Sequence, residues 1–128
     1  MSGQHAQPED PAIQALRHAP RGPIALLHSG RFHPRWATRS LIGSPVGWFR
    51  HHADGRSELT GNLPDIDLAD RPFNDLRTVL NHPDLPGRWV GYISYEINRA
   101  IEPAKLPPTA PSPWPLIELG YCPELREI

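Results

Sequence analysis

Proline and glycine constrain this chain more than any other feature of its sequence. It holds 17 prolines and 10 glycines in 128 residues, about a fifth of the chain, whereas average proteins contain about 12% of these two residues combined. Proline fixes φ and lacks an amide proton, so a helix or a central strand seldom continues through it. Frequent breaks argue against a helical bundle and favour short elements joined by many turns. The length fits one small domain with one modest core.

Between these breaks, short apolar runs indicate mainly strands. Residues 24–28 form an apolar run bounded by proline and glycine, which is typical of a buried strand. An Asp-Gly pair at 54–55 lies between two extended runs and predicts a tight hairpin. Gly91 lies inside an aromatic run and predicts a bulge or the close approach of another backbone. The predicted strands are 24–28, 38–43, 46–51, 57–60, 88–95 and 116–121.

Helices are expected to be few and short. Residues 12–18 are long enough for two helical turns before Pro20. Pro72 suits the first turn of a second helix, with Asp70 as a candidate cap. One side of that helix is expected to be apolar, and it consists of Phe73, Leu76, Val79 and Leu80. The predicted class is therefore α+β, an antiparallel sheet with few short helices, in which 38–60 forms a meander.

The chain divides into three parts. Residues 1–21 are expected to be a loose N-terminal segment with room for one short helix, 22–123 a single domain, and 124–128 a C-terminal tail. Within the domain, 102–115 holds six prolines and is expected to be an extended surface loop.

Charge and composition exclude several classes of function. The formal charge is −1, with 13 basic and 14 acidic side chains and no block of like charge, so neither nucleic acid nor an anionic membrane is an expected partner. No apolar stretch approaches the roughly 20 residues of a membrane span, and the N-terminus lacks the pattern of a secretory signal. The lone Cys122 cannot form an intrachain disulfide. A soluble cytoplasmic protein is the expectation.

Ser29, which follows the first predicted strand, is not placed as a catalytic nucleophile. A hydrolase elbow has glycine two residues on either side of its serine, whereas Leu27 and Arg31 occupy those positions here. Adjacent His28 would point to the opposite face of a strand and could not act as a base for Ser29. The seven histidines match no metal-ligand spacing. The sequence therefore assigns no catalytic residue and no metal ligand.

Two ordered segments resemble a known family. Residues 25–30 read Ala-Leu-Leu-His-Ser-Gly and 39–45 read Arg-Ser-Leu-Ile-Gly-Ser-Pro. They are similar to the Leu-Leu-x-Ser and Tyr-Ser-x-x-Gly-x-x-Pro segments of component I of aminodeoxychorismate synthase and anthranilate synthase. Residues 87–99, Gly-Arg-Trp-Val-Gly-Tyr-Ile-Ser-Tyr-Glu-Ile-Asn-Arg, resemble that family's Gly-Gly-x-x-Gly-Tyr-x-x-Tyr-Asp-x-x-Arg. The match covers 22 to about 123, and its His-Ser-Gly form leans toward the aminodeoxychorismate branch.

The resemblance implies an N-terminal region that forms part of a layered fold and binds an amino acid. Ser29 matches the serine that contacts bound L-tryptophan, and Arg39, Ser40 and Ile42 match positions that line the same pocket, with Arg39 where the family usually has an aromatic or small residue. Catalysis would reside in a chorismate-binding C-terminal domain that uses magnesium and is absent from this chain. Ammonia would come from a glutamine amidotransferase, component II. The chain is thus expected to be inactive alone, as a fragment, a split-gene product or a free-standing protein.

A second hypothesis needs no family. The chain would be a non-enzymatic interaction module that uses the aromatic strand 88–95 or the proline-rich loop, because an isolated layer leaves apolar surface for a partner or a second copy.

Overall fold

The computed structural model describes residues 13, 17, 22–27, 39–98 and 113–127. These residues include seven strands, the α-helix at Pro72–Leu80 and one turn of 3₁₀-helix at Tyr95–Ile97, which confirms the α+β class. Of the predicted helix at 12–18, Ile13 and Arg17 are described and both are helical. No helix in the described ranges is long and apolar enough to cross a membrane. The strands are β1 (Ala25–Leu27), β2 (Leu41–Gly43), β3 (Gly47–His51), β4 (Ser57–Gly61), β5 (Arg88–Ile93), β6 (Ile117–Cys122) and β7 (Leu125–Glu127).

The larger sheet has four antiparallel strands in the order β4-β3-β6-β5. Its hairpin between β3 and β4 confirms the prediction from the Asp-Gly pair, because Gly55 adopts a φ of 91° in the turn. Of the two predictions at Gly91, the close approach is confirmed and the bulge is wrong, since β5 and β6 pair one residue to one through Gly91. A Cβ at this position would collide with the carbonyl oxygen of Glu118 on β6, so the two backbones can approach only if residue 91 is glycine.

The smaller sheet has three antiparallel strands in the order β1-β2-β7. The predicted meander over 38–60 is therefore wrong at its first step, since β2 pairs with β1 and β7 and not with β3. Residues 124–128, which the sequence set apart as a tail, contain β7 and so contribute the third strand.

The two sheets share a pair of interrupted strands. β2 continues into β3 and β6 continues into β7, and β2 pairs with β7 while β3 pairs with β6. The register is the same on both sides of the interruption, from Leu41 opposite Glu127 to His51 opposite Ile117. Residues 44–46 and 122–124 are the unpaired positions of this ladder, and each triplet is centred on a proline, Pro45 or Pro123. Because proline cannot donate to a ladder, the pairing stops there and the chain enters a second sheet.

The core lies between one face of the larger sheet and the α-helix α1 (Pro72–Leu80). Phe49 and Ile117 are fully buried on the sheet, and Val79 is fully buried on the helix. Only part of the predicted apolar side of α1 reaches this core, since Phe73 is 40% and Leu80 is 48% exposed.

The start of α1 is stabilised by Asp75 and not by the predicted cap Asp70. The Asp75 carboxylate is buried and accepts hydrogen bonds from the backbone N–H groups of Ala69 (2.7 Å) and Arg71 (3.0 Å). Asp70 has a positive φ of 57°, and its side chain accepts from the N–H of Ser57 at 2.9 Å. The prediction failed because the turn before Pro72 directs Asp70 toward β4.

Candidate functional site

The pairing of β1 with β2 brings the two halves of the first motif together. Leu27, the last residue of β1, lies opposite Leu41, the first residue of β2. Ser29 follows Leu27 by two residues, and Arg39 precedes Leu41 by two residues. Ser29 itself lies outside the described residues, as does His28. The two segments therefore meet at the end of the smaller sheet where β1 ends and β2 begins.

The other three candidate residues, Arg39, Ser40 and Ile42, lie on the second segment and do not all point to the same side of the chain. Ser40 and Ile42 are 5% and 3% exposed, whereas Arg39 is exposed and Leu41 is half-buried. This alternation is the period of an extended chain, whose successive side chains point to opposite faces. The structure thus brings Ser40 and Ile42 to the buried side and leaves Arg39 on the solvent side. A hydroxyl beside an apolar wall can bind a small amphipathic ligand.

Arg126 on β7 is a residue of this surface that the sequence did not identify. Ile42 lies opposite Leu26 on β1 and opposite Arg126 on β7, and residues directly opposite in antiparallel strands share a face. Arg126 is exposed, so its guanidinium is available at the rim of the face that contains Ile42. The signal was weak, because β7 has three residues and residues 124–128 were interpreted as a tail.

A second buried polar cluster lies on the inner face of the larger sheet. His51 is fully buried, and its Nδ1 is 2.8 Å from the Ser57 hydroxyl on the facing strand. Its Nε2 is buried and has no hydrogen-bond partner in the described part of the chain. Burial lowers the pKa of His51, and the nearby carboxylates of Asp75 and Asp70 oppose that shift.

This cluster does not form a nucleophilic triad. The carboxylate that would orient the histidine, Asp75, is already bonded to two backbone N–H groups, and a fully buried His51 cannot reach a substrate. The His51–Ser57 pair instead connects β3 to β4 within the core. Among the described residues no group of three or more His, Cys, Asp or Glu is placed to hold a metal ion.

The outer face of the larger sheet has a row of paired charges. Arg50 Nε lies 2.8 Å from Glu118, its Nη1 donates to the Thr60 hydroxyl at 3.1 Å, and its guanidinium lies 5.2 Å from the centre of the Trp48 ring. These contacts neutralise the charges and order the indole, which indicates a structural role.

A groove of about 350 Å³ lies beside the outer edge of β4. Its walls are β4 and the chain that follows it, including Leu63, Ile66 and Leu68. None of Arg39, Ser40 and Ile42 lines it, so the groove is distinct from the site assigned by resemblance.

Comparisons of this chain with protein-family models, with curated proteins and with solved structures found no match. The likeness to the chorismate-using synthases therefore stays a prediction from the motifs.

Proposed function

We propose that this chain is the amino-acid-binding N-terminal region of a chorismate-using synthase, with the aminodeoxychorismate branch favoured over the anthranilate branch. One observation supports the proposal most. The Leu-Leu-x-Ser segment and the Ser-x-x-Gly segment belong to neighbouring antiparallel strands whose motif ends are adjacent, with Leu27 opposite Leu41. Residues that bind one ligand must be close in space, and this pairing brings the ends of the two segments together at Leu27 and Leu41.

The proposed ligand is L-tryptophan or a similar amino acid. The Ser29 hydroxyl would bind its ammonium or carboxylate group, the buried Ser40 hydroxyl would add a second polar contact, and Ile42 would face its side chain. Arg126 would supply the positive charge that a carboxylate requires, from the strand beside Ile42.

The second motif supports the same assignment through its glycine. Gly91 lies where only glycine avoids a collision with the Glu118 carbonyl oxygen. The packing of β5 against β6 therefore explains why this motif has a glycine before Tyr92. In this proposal the chemistry belongs to a chorismate-binding domain that holds magnesium, and ammonia comes from a glutamine amidotransferase. The region described here would be a scaffold and a sensor of the amino acid.

Calorimetric titration with L-tryptophan tests the amino-acid site. We expect heat of binding for the natural chain and a roughly 5-fold to 150-fold weaker affinity for Ser29→Ala, because a charged group loses its hydrogen-bond partner, at a cost of about 1–3 kcal/mol. Ser40→Ala and Arg126→Gln should also weaken binding. Ser44→Ala is the matched control, since it removes an exposed hydroxyl three residues from Leu41. Absence of heat with the natural chain at millimolar ligand would refute the site.

The partner half of the proposal has its own test. The chain is mixed with a separately produced chorismate-binding domain, magnesium and an ammonia source, and chorismate consumption is measured. Faster consumption together with co-sedimentation supports the assignment. If neither appears, the chain does not serve such an enzyme, whatever amino acid it binds.

A further inference from the structure

We propose that β5 is the interface through which two copies of this chain join, edge to edge, into one continuous antiparallel sheet. This inference concerns the larger sheet and does not depend on the proposed amino-acid site.

The two edges of the larger sheet differ in whether their outward backbone groups are hydrogen-bonded. At the β4 edge, the Asp70 carboxylate accepts from the outward N–H of Ser57, and the N–H of Leu63 donates to the carbonyl of Gly61 at 3.1 Å. The groove-forming chain after β4 also runs beside this edge. Within the described ranges no such contact is made to the outward groups of β5. An uncovered edge strand is a template for pairing with another chain.

The hydrogen-bond pattern shows which groups β5 offers. The N–H of Ser94 donates to the carbonyl of Leu116 at 2.7 Å. The backbone N–H and C=O groups of Ser94, and of every second residue before it, therefore point toward β6. The backbone N–H and C=O groups of Trp89, Gly91 and Ile93 therefore point away from the sheet. Three consecutive outward positions are enough to form an antiparallel ladder.

The exposed side chains of this edge are apolar. Tyr92 is 40% exposed on the outer face and Ile93 is 49% exposed on the inner face, while Tyr95, just beyond the strand, is 96% exposed. Trp114 is 72% exposed and lies at the same end, because the Tyr92 hydroxyl donates to the carbonyl of the next residue, Pro115. A hydrophobic edge of this kind, with a charge only at Arg88, lacks the features that usually prevent edge-to-edge pairing.

The strand is complementary to itself, which identifies the occupant as a second copy. With Gly91 on a twofold axis, Trp89 of one copy pairs with Ile93 of the other, and Val90 pairs with Tyr92, so large side chains meet smaller ones on both faces. The glycine lets the two backbones approach at the axis. Arg88 then lies opposite Ser94 of the second copy. Such a contact closes after two copies.

Sedimentation velocity of the full chain over about 5–500 μM tests the proposal. We expect a monomer–dimer equilibrium for the natural chain. Ile93→Lys should raise the dissociation constant at least tenfold, since it places a charge on each side of the new pairing. Ile93→Pro should do the same, because it removes an outward N–H that the β5–β6 ladder does not use. Leu80→Lys is the matched control, since Leu80 is equally exposed, at 48%, but lies on α1.

Hydrogen exchange of the natural chain provides a measurement that does not require a variant to fold. The amides of Trp89, Gly91 and Ile93 should become protected as concentration rises, while those of Ser57 and Leu59 at the other edge should not change. A chain that stays monomeric at 500 μM, a dimer that both Ile93 variants leave intact, or open polymers in place of a dimer would each overturn the inference.

Discussion

The buried carboxylate of Asp75 provides the sharpest test of how this fold is held together. It accepts hydrogen bonds from Ala69 and Arg71 and so fixes the chain that leads into α1, a helix whose N-cap residue makes no side-chain hydrogen bond. The aspartate is 2% exposed, so water does not compete for it. We therefore expect that Asp75→Asn destabilises the fold although the change in shape is small.

The magnitude follows from the two bonds. An amide retains one oxygen acceptor but presents its NH₂ group to the second N–H, so one bond is lost and the other is no longer charge-assisted. A hydrogen bond to a charged group contributes about 1.5–3 kcal/mol, and a carboxylate in the first turn adds about 0.3–1 kcal/mol through the helix dipole. We expect a loss of about 2–3 kcal/mol for Asp75→Asn and somewhat more for Asp75→Ala, a large part of the roughly 5–15 kcal/mol typical of a domain.

Urea unfolding followed by tryptophan fluorescence and by circular dichroism measures this loss. With a slope of about 1–3 kcal/mol/M, the midpoint should fall by about 1 M or more without a change of slope. Asp67→Asn is the matched control, because it removes an exposed carboxylate from the same stretch of chain, and it should change the midpoint little. If Asp75→Asn lies within about 0.5 kcal/mol of the natural chain, these bonds do not stabilise the start of the helix.

Two further predictions concern the larger sheet. Burial lowers the pKa of His51 from 6.5, so its stabilising contribution is complete above pH 6.5 and is lost as pH falls through the folded-state value. The free energy of unfolding should therefore drop as pH falls below 6.5, and less so in His51→Leu; equal slopes for the two chains would contradict this assignment. Gly91→Ala should unfold or severely weaken the chain, because its Cβ would collide with backbone atoms of Glu118. Gly55→Ala, at a φ of 91° but in open space, should cost only about 1–2 kcal/mol, and similar thermal midpoints for the two variants would refute the close approach at Gly91.

Local signals in the sequence were sufficient to predict the strands and helices, but not to predict every pairing between strands. The Asp-Gly turn predicted the β3–β4 hairpin because the residues that pair are close along the chain. The same register also places His51 opposite Ser57, so that pair could have been found from the turn. The pairing of β2 with β7 could not, since β7 follows about eighty residues later and has only three residues, of which two are charged.

The candidate site likewise combines features that local sequence predicts with one that depends on long-range strand pairing. The burial of Ser40 and Ile42 and the exposure of Arg39 follow from the alternation of an extended chain and were accessible from the sequence once a strand was placed there. Arg126 was not, because it reaches Ile42 only through the long-range pairing of β2 with β7. Contacts of this kind depend on which strands meet, and the pattern of one short segment does not contain that information.

The two prolines that interrupt the shared ladder have a consequence for cooperativity. With no donor at Pro45 or Pro123, the smaller sheet is connected to the larger one by covalent chain and side-chain packing, and not by a continuous series of hydrogen bonds. The three-residue strands that contain Ile42 and Arg126 can therefore open while the four-stranded sheet remains intact. An amino acid bound to the smaller sheet would raise the free energy of this local opening. That free energy would then increase with the concentration of the amino acid.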